Sequence, residues 1–154
     1  MPDPVPATSS LSRYEARTAA AVFERLFPAD EHGPGATGIG VLTYVDRALA
    51  GAYRDQADTY RLGLAAIDRA ARERTGRTFA DAGPGAQDAV LAGLEQGRLA
   101  GFTVPDQRGF FALLRAHLQE GLFADPVHGG NRGKAGWLPG GFASNGNAAV
   151  GTPA

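Results

Sequence analysis

Apolar residues recur every three or four positions along five stretches of the chain, a spacing that is typical of helices burying one face. The first stretch begins with a capping box at Ser12-Arg13-Tyr14-Glu15, and Pro28 ends it. The last stretch starts at Thr103-Val104-Pro105-Asp106, with threonine as the predicted cap. The three stretches between them cover residues 39–50, 53–75 and 84–96, and each is followed by a glycine that favours helix termination. The sequence therefore predicts about five helices.

No stretch shows the strict alternation of apolar and polar residues that marks a half-buried β-strand. We therefore predict an all-α fold of about five helices in a compact orthogonal bundle, followed by an extended glycine-rich C-terminal segment. The predicted domain covers residues 12–143. Residues 1–11 are predicted to be a flexible N-terminus, and residues 144–154 a disordered tail. The predicted core includes the apolar stripe of the third helix and one aromatic residue after it: Tyr60, Leu64, Ile67, Ala71 and Phe79.

Composition excludes several classes of protein. A chain of 154 residues is long enough for one domain with a sizeable core. The net charge of −1 lacks the basic footprint of a nucleic-acid-binding protein. The absence of cysteine excludes disulfides and thiolate metal sites from this chain. No apolar run approaches the length of a membrane span, so we expect no direct membrane insertion. The first residues of the sequence also lack a signal-peptide pattern, and for this sequence we therefore predict a cytoplasmic location. The location would be periplasmic if the protein is co-exported with a partner, or if a signal was removed.

Glycine is unusually dense in residues 121–142, which we call the glycine-rich segment. Glycines help where backbone must pass close to a ligand or to another chain. A tryptophan beside arginine and glycines has the composition of a binding hot spot. We therefore predict a partner-docking surface formed by Phe123, Asp125, His128, Asn131, Arg132, Trp137 and Phe142. The alternative is that Phe123, Trp137 and Phe142 fold back over the helices and belong to the core. Both can be true of one large aromatic side chain, which can pack on its own domain with one edge and on a partner with the other.

Metal binding is a second hypothesis. His117 and Glu120 are three residues apart and share a helix face, and Asp125 and His128 follow them. Histidine and carboxylate side chains together ligate transition metals. A di-iron helical bundle, however, uses two Glu-x-x-His pairs. Here His117 and Glu120 form a single pair in the reverse order, His-x-x-Glu.

The loop after the first helix holds a further group of adjacent ionisable residues: Asp30, Glu31 and His32. A stand-alone metal-dependent helical enzyme therefore remains an alternative, with the candidate ligands Asp30, His32, His117, Glu120 and His128. Residues 129–134 lack the spacing of a phosphate-binding loop, and no serine stands in a nucleophile elbow. The sequence thus shows no self-sufficient active site.

Several runs of residues resemble the gluconate 2-dehydrogenase subunit 3 family. The most specific are EGLFADP at 120–126, GGNR at 129–132, GW at 136–137 and GGF at 140–142. Earlier runs are similar as well: YVD at 44–46, LAG at 49–51, Tyr53, and YRLGLAAID at 60–68. The likeness covers roughly residues 14–142, which is nearly the whole predicted domain.

The resemblance implies a non-catalytic small, or gamma, subunit of an FAD-dependent sugar or sugar-acid dehydrogenase. Its partner would be a large flavoprotein of the glucose–methanol–choline type, which carries the FAD, and a cytochrome c subunit accepts electrons in exported systems. No cofactor is implied for this chain, whose role would be to bind, stabilise and help mature the large subunit. Many members carry a twin-arginine export signal, which this sequence lacks, and His128 stands where the family often has an aromatic residue. A stand-alone adaptor or small-ligand-binding domain is the remaining alternative.

Overall fold

The computed structural model describes residues 10–124, and apart from one isolated bridge between Asp30 and Gly33 their regular structure is entirely helical. The all-α prediction is confirmed. The elements are α1 (Arg13–Leu26), α2 (Ala36–Ile39), α3 (Val41–Ala50), a 3-10 turn (Arg54–Gln56), α4 (Ala57–Thr75), α5 (Pro84–Gln96) and α6 (Gln107–Phe123). None of these helices is long and apolar enough to cross a membrane.

Local sequence signals set several of the helix ends. The predicted capping box at α1 is present: the backbone N–H of Glu15 donates to Ser12 Oγ over 3.0 Å, and the backbone N–H of Ser12 donates to Glu15 Oε1 over 2.9 Å. Gly76 and Gly97 end α4 and α5 with φ of 77° and 72°, a left-handed conformation that glycine adopts without a steric cost.

The region predicted as a helix over residues 39–50 is divided. Gly40 has φ of 96° and separates the one-turn helix α2 from α3, so α3 starts at Val41. The next predicted helix also begins later than residue 53, because the 3-10 turn precedes α4. The described residues therefore contain six α-helices instead of about five.

The predicted threonine cap of the last helix is wrong. Asp106 is the N-cap of α6, and its carboxylate accepts a hydrogen bond from the backbone N–H of Gly109 over 2.7 Å. A proline disfavours the helical region for the residue before it, so the helix cannot extend back through Val104 to Thr103. The Val104–Pro105 peptide bond is cis.

The core lies between α4 and the helices around it. The predicted inward stripe of α4 is fully buried, and Phe79 fills the space beside it as expected. Helix α6 packs against both α3 and α5. Helices α5 and α6 contribute further buried residues: Val90, Leu91 and Leu94 of α5, and Phe110, Leu114 and Leu118 of α6.

Two glycines allow α6 to approach its neighbours closely. A Cβ atom at Gly121 would lie 3.1 Å from Cγ1 of Val41, at the start of α3. A Cβ atom at Gly63 of α4 would lie 2.3–2.7 Å from three ring atoms of Phe110. Contacts below 3.0 Å are essentially never seen for real Cβ atoms, so the ring occupies the space that a side chain at residue 63 would need. These approaches fix both ends of α6 against the bundle.

Candidate functional site

Five polar side chains, from three helices and one connecting residue, meet where the last turns of α6 lie against the rest of the domain. We call them the Tyr/His/Glu cluster: Tyr44, Tyr53, Tyr60, His117 and Glu120. The tyrosines come from α3, from the residue before the 3-10 turn and from α4. His117 and Glu120 are three residues apart on α6, so both face the tyrosines.

Glu120 is held by two phenol groups. The hydroxyl of Tyr44 donates to Glu120 Oε1 over 3.0 Å, and the hydroxyl of Tyr53 donates to the same oxygen over 2.8 Å. All three side chains are half-buried. Hydrogen bonds to a charged acceptor are roughly twice as strong as those between neutral groups, so the two phenols fix the carboxylate in place.

His117 lies between two aromatic rings and is only 3% exposed. The ring of Tyr53 stacks on it with centroids 4.7 Å apart and an interplanar angle of 7°, and the ring of Tyr60 is nearly parallel to it at 5.6 Å. The hydroxyl of Tyr60 lies 2.8 Å from His117 Nδ1. Burial lowers the pKa of His117, an effect that the nearby Glu120 carboxylate opposes. The imidazole is therefore neutral at neutral pH, and the ring nitrogen that carries its single proton decides which group donates in the bond between Tyr60 and His117.

The three phenols are poor proton-transfer groups near neutral pH. Burial, followed by the Glu120 charge, raises the pKa of Tyr44 to about 12. The hydrogen bond to Glu120, followed by burial, raises the pKa of Tyr53, and burial of Tyr60 raises its pKa further still. An efficient general acid or base has a pKa near the operating pH, so these shifts move the tyrosines away from catalysis. The arrangement suits holding and binding better than proton transfer.

The described residues of the metal hypothesis do not form a metal site. His117 and Glu120 are brought together, but with tyrosines, and within residues 10–124 no group of three or more histidine, aspartate or glutamate side chains is arranged to hold a metal ion. The loop that holds Asp30, Glu31 and His32 is an exposed turn, in which Asp30 Oδ1 accepts a hydrogen bond from the backbone N–H of His32 over 2.8 Å. Nε2 of the His32 imidazole lies 3.5 Å from Glu31 Oε2. Two further ligands of that hypothesis, Asp125 and His128, lie outside the described residues.

Of the predicted docking residues, Phe123 is described. It is the last residue of α6, is half-buried and packs against the hydrophobic core. The core interpretation of this aromatic residue therefore holds for at least part of its surface. The other predicted docking residues lie outside the described part of the chain: Asp125, His128, Asn131, Arg132, Trp137 and Phe142.

Sequence reasoning missed the tyrosines as partners of α6. Tyr60 was assigned to the core, which is correct, but its hydroxyl contact with His117 was not foreseen. Tyr44 and Tyr53 belong to runs that carry the family resemblance, and this was the available signal. Each lies far from Glu120 in sequence, by 76 and 67 residues respectively, and no local pattern reports a contact over that separation.

Comparison with known proteins adds one finding. Residues 13–145 match the family model described as Gluconate 2-dehydrogenase subunit 3. No curated protein and no solved structure matches the chain. The matched region contains all six described helices, the whole Tyr/His/Glu cluster and the glycine-rich segment.

Proposed function

The chain belongs to the gluconate 2-dehydrogenase subunit 3 family, and on this premise we propose that it is a non-catalytic small subunit of an FAD-dependent sugar or sugar-acid dehydrogenase. In this role it binds the FAD-carrying large subunit, stabilises it and assists its maturation. The observation that carries the proposal is the extent of the family match. The match covers the helical domain and continues through the glycine-rich segment, so both parts of the chain share the family's pattern.

The chemistry of the described residues supports a binding role. Their polar cluster consists of tyrosines whose pKa values are raised away from neutrality, a buried neutral histidine and one carboxylate. In the proposed complex, redox chemistry belongs to the FAD of a large subunit of the glucose–methanol–choline type, and a cytochrome c subunit is a further candidate partner. The present chain supplies a surface and holds none of the cofactors.

The glycine-rich segment is the proposed centre of that surface. We expect a permanent interface larger than the standard size of about 1,600 Å². Its proposed anchors are Phe123, Asn131, Arg132 and Trp137. Arginine and tryptophan dominate binding energy in protein interfaces because they bury much area or donate several hydrogen bonds at once.

The first experiment is affinity purification of the full chain from its native host, followed by an absorption spectrum of the eluate. We expect a larger polypeptide with flavin absorption bands to elute with the chain. A chain that elutes alone, folded and colourless, would refute the proposal. Stoichiometric metal in that lone chain would instead favour the metal-dependent enzyme.

Two substitutions then test the docking segment. We expect Trp137→Ala and Arg132→Ala each to weaken capture of the large subunit by more than about tenfold, the usual effect of truncating an interface anchor. Matched controls are Leu62→Ala, an exposed apolar residue on α4, and Arg115→Ala, an exposed arginine on α6. Circular dichroism checks that all four variants fold. Survival of the complex in both segment variants would show that docking occurs elsewhere.

A further inference from the structure

Only one oxygen of the Glu120 carboxylate, Oε1, accepts hydrogen bonds from the described part of the chain. Both phenol groups donate to Oε1, and no described residue donates to Oε2. None of the ion pairs among residues 10–124 involves Glu120. Within residues 10–124, this half-buried carboxylate is therefore fixed in position without a cation beside it.

The position of Glu120 on its helix adds to the negative charge. Glu120 lies in the last turn of α6, where the unpaired backbone carbonyls carry a partial negative charge, and that turn contains no basic residue. A carboxylate is unfavourable at this end of a helix, and a cation is favourable there. The carboxylate and the helix dipole thus attract the same kind of ligand.

The side chains around Glu120 are suited to a flat cation with several donors. Tyr44 and Tyr53 are half-exposed aromatic residues, and the face of an aromatic ring attracts a cation.

A guanidinium group meets these requirements better than an ammonium group. Arginine offers five N–H donors in a planar arrangement, has no acceptor, and stacks on aromatic rings. It can donate to Glu120 Oε2, which accepts no hydrogen bond from a described residue, while its plane lies against a tyrosine ring. An ammonium is a compact, strongly hydrated point charge that gains less from such a surface.

We propose that Glu120, Tyr44 and Tyr53 form a binding site for an arginine side chain of the large subunit. The inference rests on the proposed function and deepens it, because Glu120 directly precedes the glycine-rich segment. The interface thereby continues from that segment onto the end of α6 and the tyrosines beside it.

Glu120→Gln in the full chain tests the site, because glutamine keeps an acceptor oxygen for the two phenols and removes the charge. The control is Glu95→Gln, which removes one charge from an exposed position on α5. We expect Glu120→Gln to weaken the affinity for the co-purified large subunit about tenfold at low salt, and the affinity to depend less on salt. Glu95→Gln should behave like the wild type, and thermal melting reports whether both variants fold.

Equal affinity and salt dependence of the two variants would overturn the arginine site and leave the proposed function standing. A wild-type chain that captures no flavoprotein would overturn the proposed function and the site together. If Glu120→Gln does not fold, the wild-type complex is treated with phenylglyoxal, which modifies arginine. A large-subunit arginine that is protected only in the complex supports the site, whereas the absence of any such arginine refutes it. A carbodiimide cross-link from Glu120 to a partner lysine would also refute it.

Discussion

The pair formed by Tyr60 and His117 gives the most direct test of how the cluster is held. The Tyr60 side chain is fully buried, and its hydroxyl lies 2.8 Å from His117 Nδ1. Tyr60→Phe removes that hydroxyl and leaves the ring in place. His117 is 3% exposed, so water has little access to the imidazole that loses its partner.

The expected cost follows from that burial. A buried polar group left without a partner costs about 1–3 kcal/mol of stability. In a chain of this size each kcal/mol lowers the melting temperature by about 2–4 °C. Tyr44→Phe is the matched control, because Glu120 keeps the hydrogen bond from Tyr53 and the site is half-buried. We expect the control to cost about 0.5–1.5 kcal/mol, the net value of an ordinary hydrogen bond.

Urea unfolding followed by circular dichroism measures both variants. The slope of the free energy of unfolding against urea should not change, because the area exposed on unfolding is nearly the same. A Tyr60→Phe variant as stable as the wild type would refute the reasoning, since it would mean that His117 finds another partner. A control that loses more than Tyr60→Phe would place the stabilising contact at Glu120 instead.

Two further outcomes are expected. Burial lowers the pKa of His117 below the unfolded value near 6.5, so the unfolded chain binds a proton at this histidine at a higher pH than the folded chain does. The free energy of unfolding should therefore fall as pH drops below about 6.5, and it should level off below the folded pKa. An NMR titration measures the folded pKa directly, and a value of 6.5 or above contradicts this expectation. Gly63→Ala places a Cβ atom 2.3 Å from the nearest atom of the Phe110 ring. The resulting overpacking should destabilise the protein by about 1–3 kcal/mol, which outweighs the stabilisation of up to about 1 kcal/mol from the higher helix propensity of alanine. Gly85→Ala, where nothing lies within 4 Å, should stabilise the protein slightly, and equal melting temperatures for the two variants would show that the ring moves aside.

The periodicity of the sequence was sufficient for most of the helices and for the buried stripe of α4, but not for the break at Gly40 that separates α2 from α3. Ser12, Gly76 and Gly97 mark helix ends because capping depends on hydrogen bonds and backbone angles within a few residues. The burial of Ile67 and Phe79 followed from helical spacing and from an aromatic residue in a short connection. The same local reasoning failed at Thr103, where Asp106 reaches the free backbone N–H instead.

The tertiary structure alone decided the partners of His117 and Glu120. From the sequence they were candidates for a metal site, together with residues of a distant loop, because their types and spacing fit that chemistry. In the structure Glu120 accepts hydrogen bonds from Tyr44 and Tyr53, which lie 76 and 67 residues earlier in the chain. Helical periodicity determines which face of each helix is buried, but not which faces meet. The close approach of α6 to α3 at Gly121 determines which faces meet here. As a result Glu120, a candidate metal ligand in the sequence, accepts hydrogen bonds from two phenol groups.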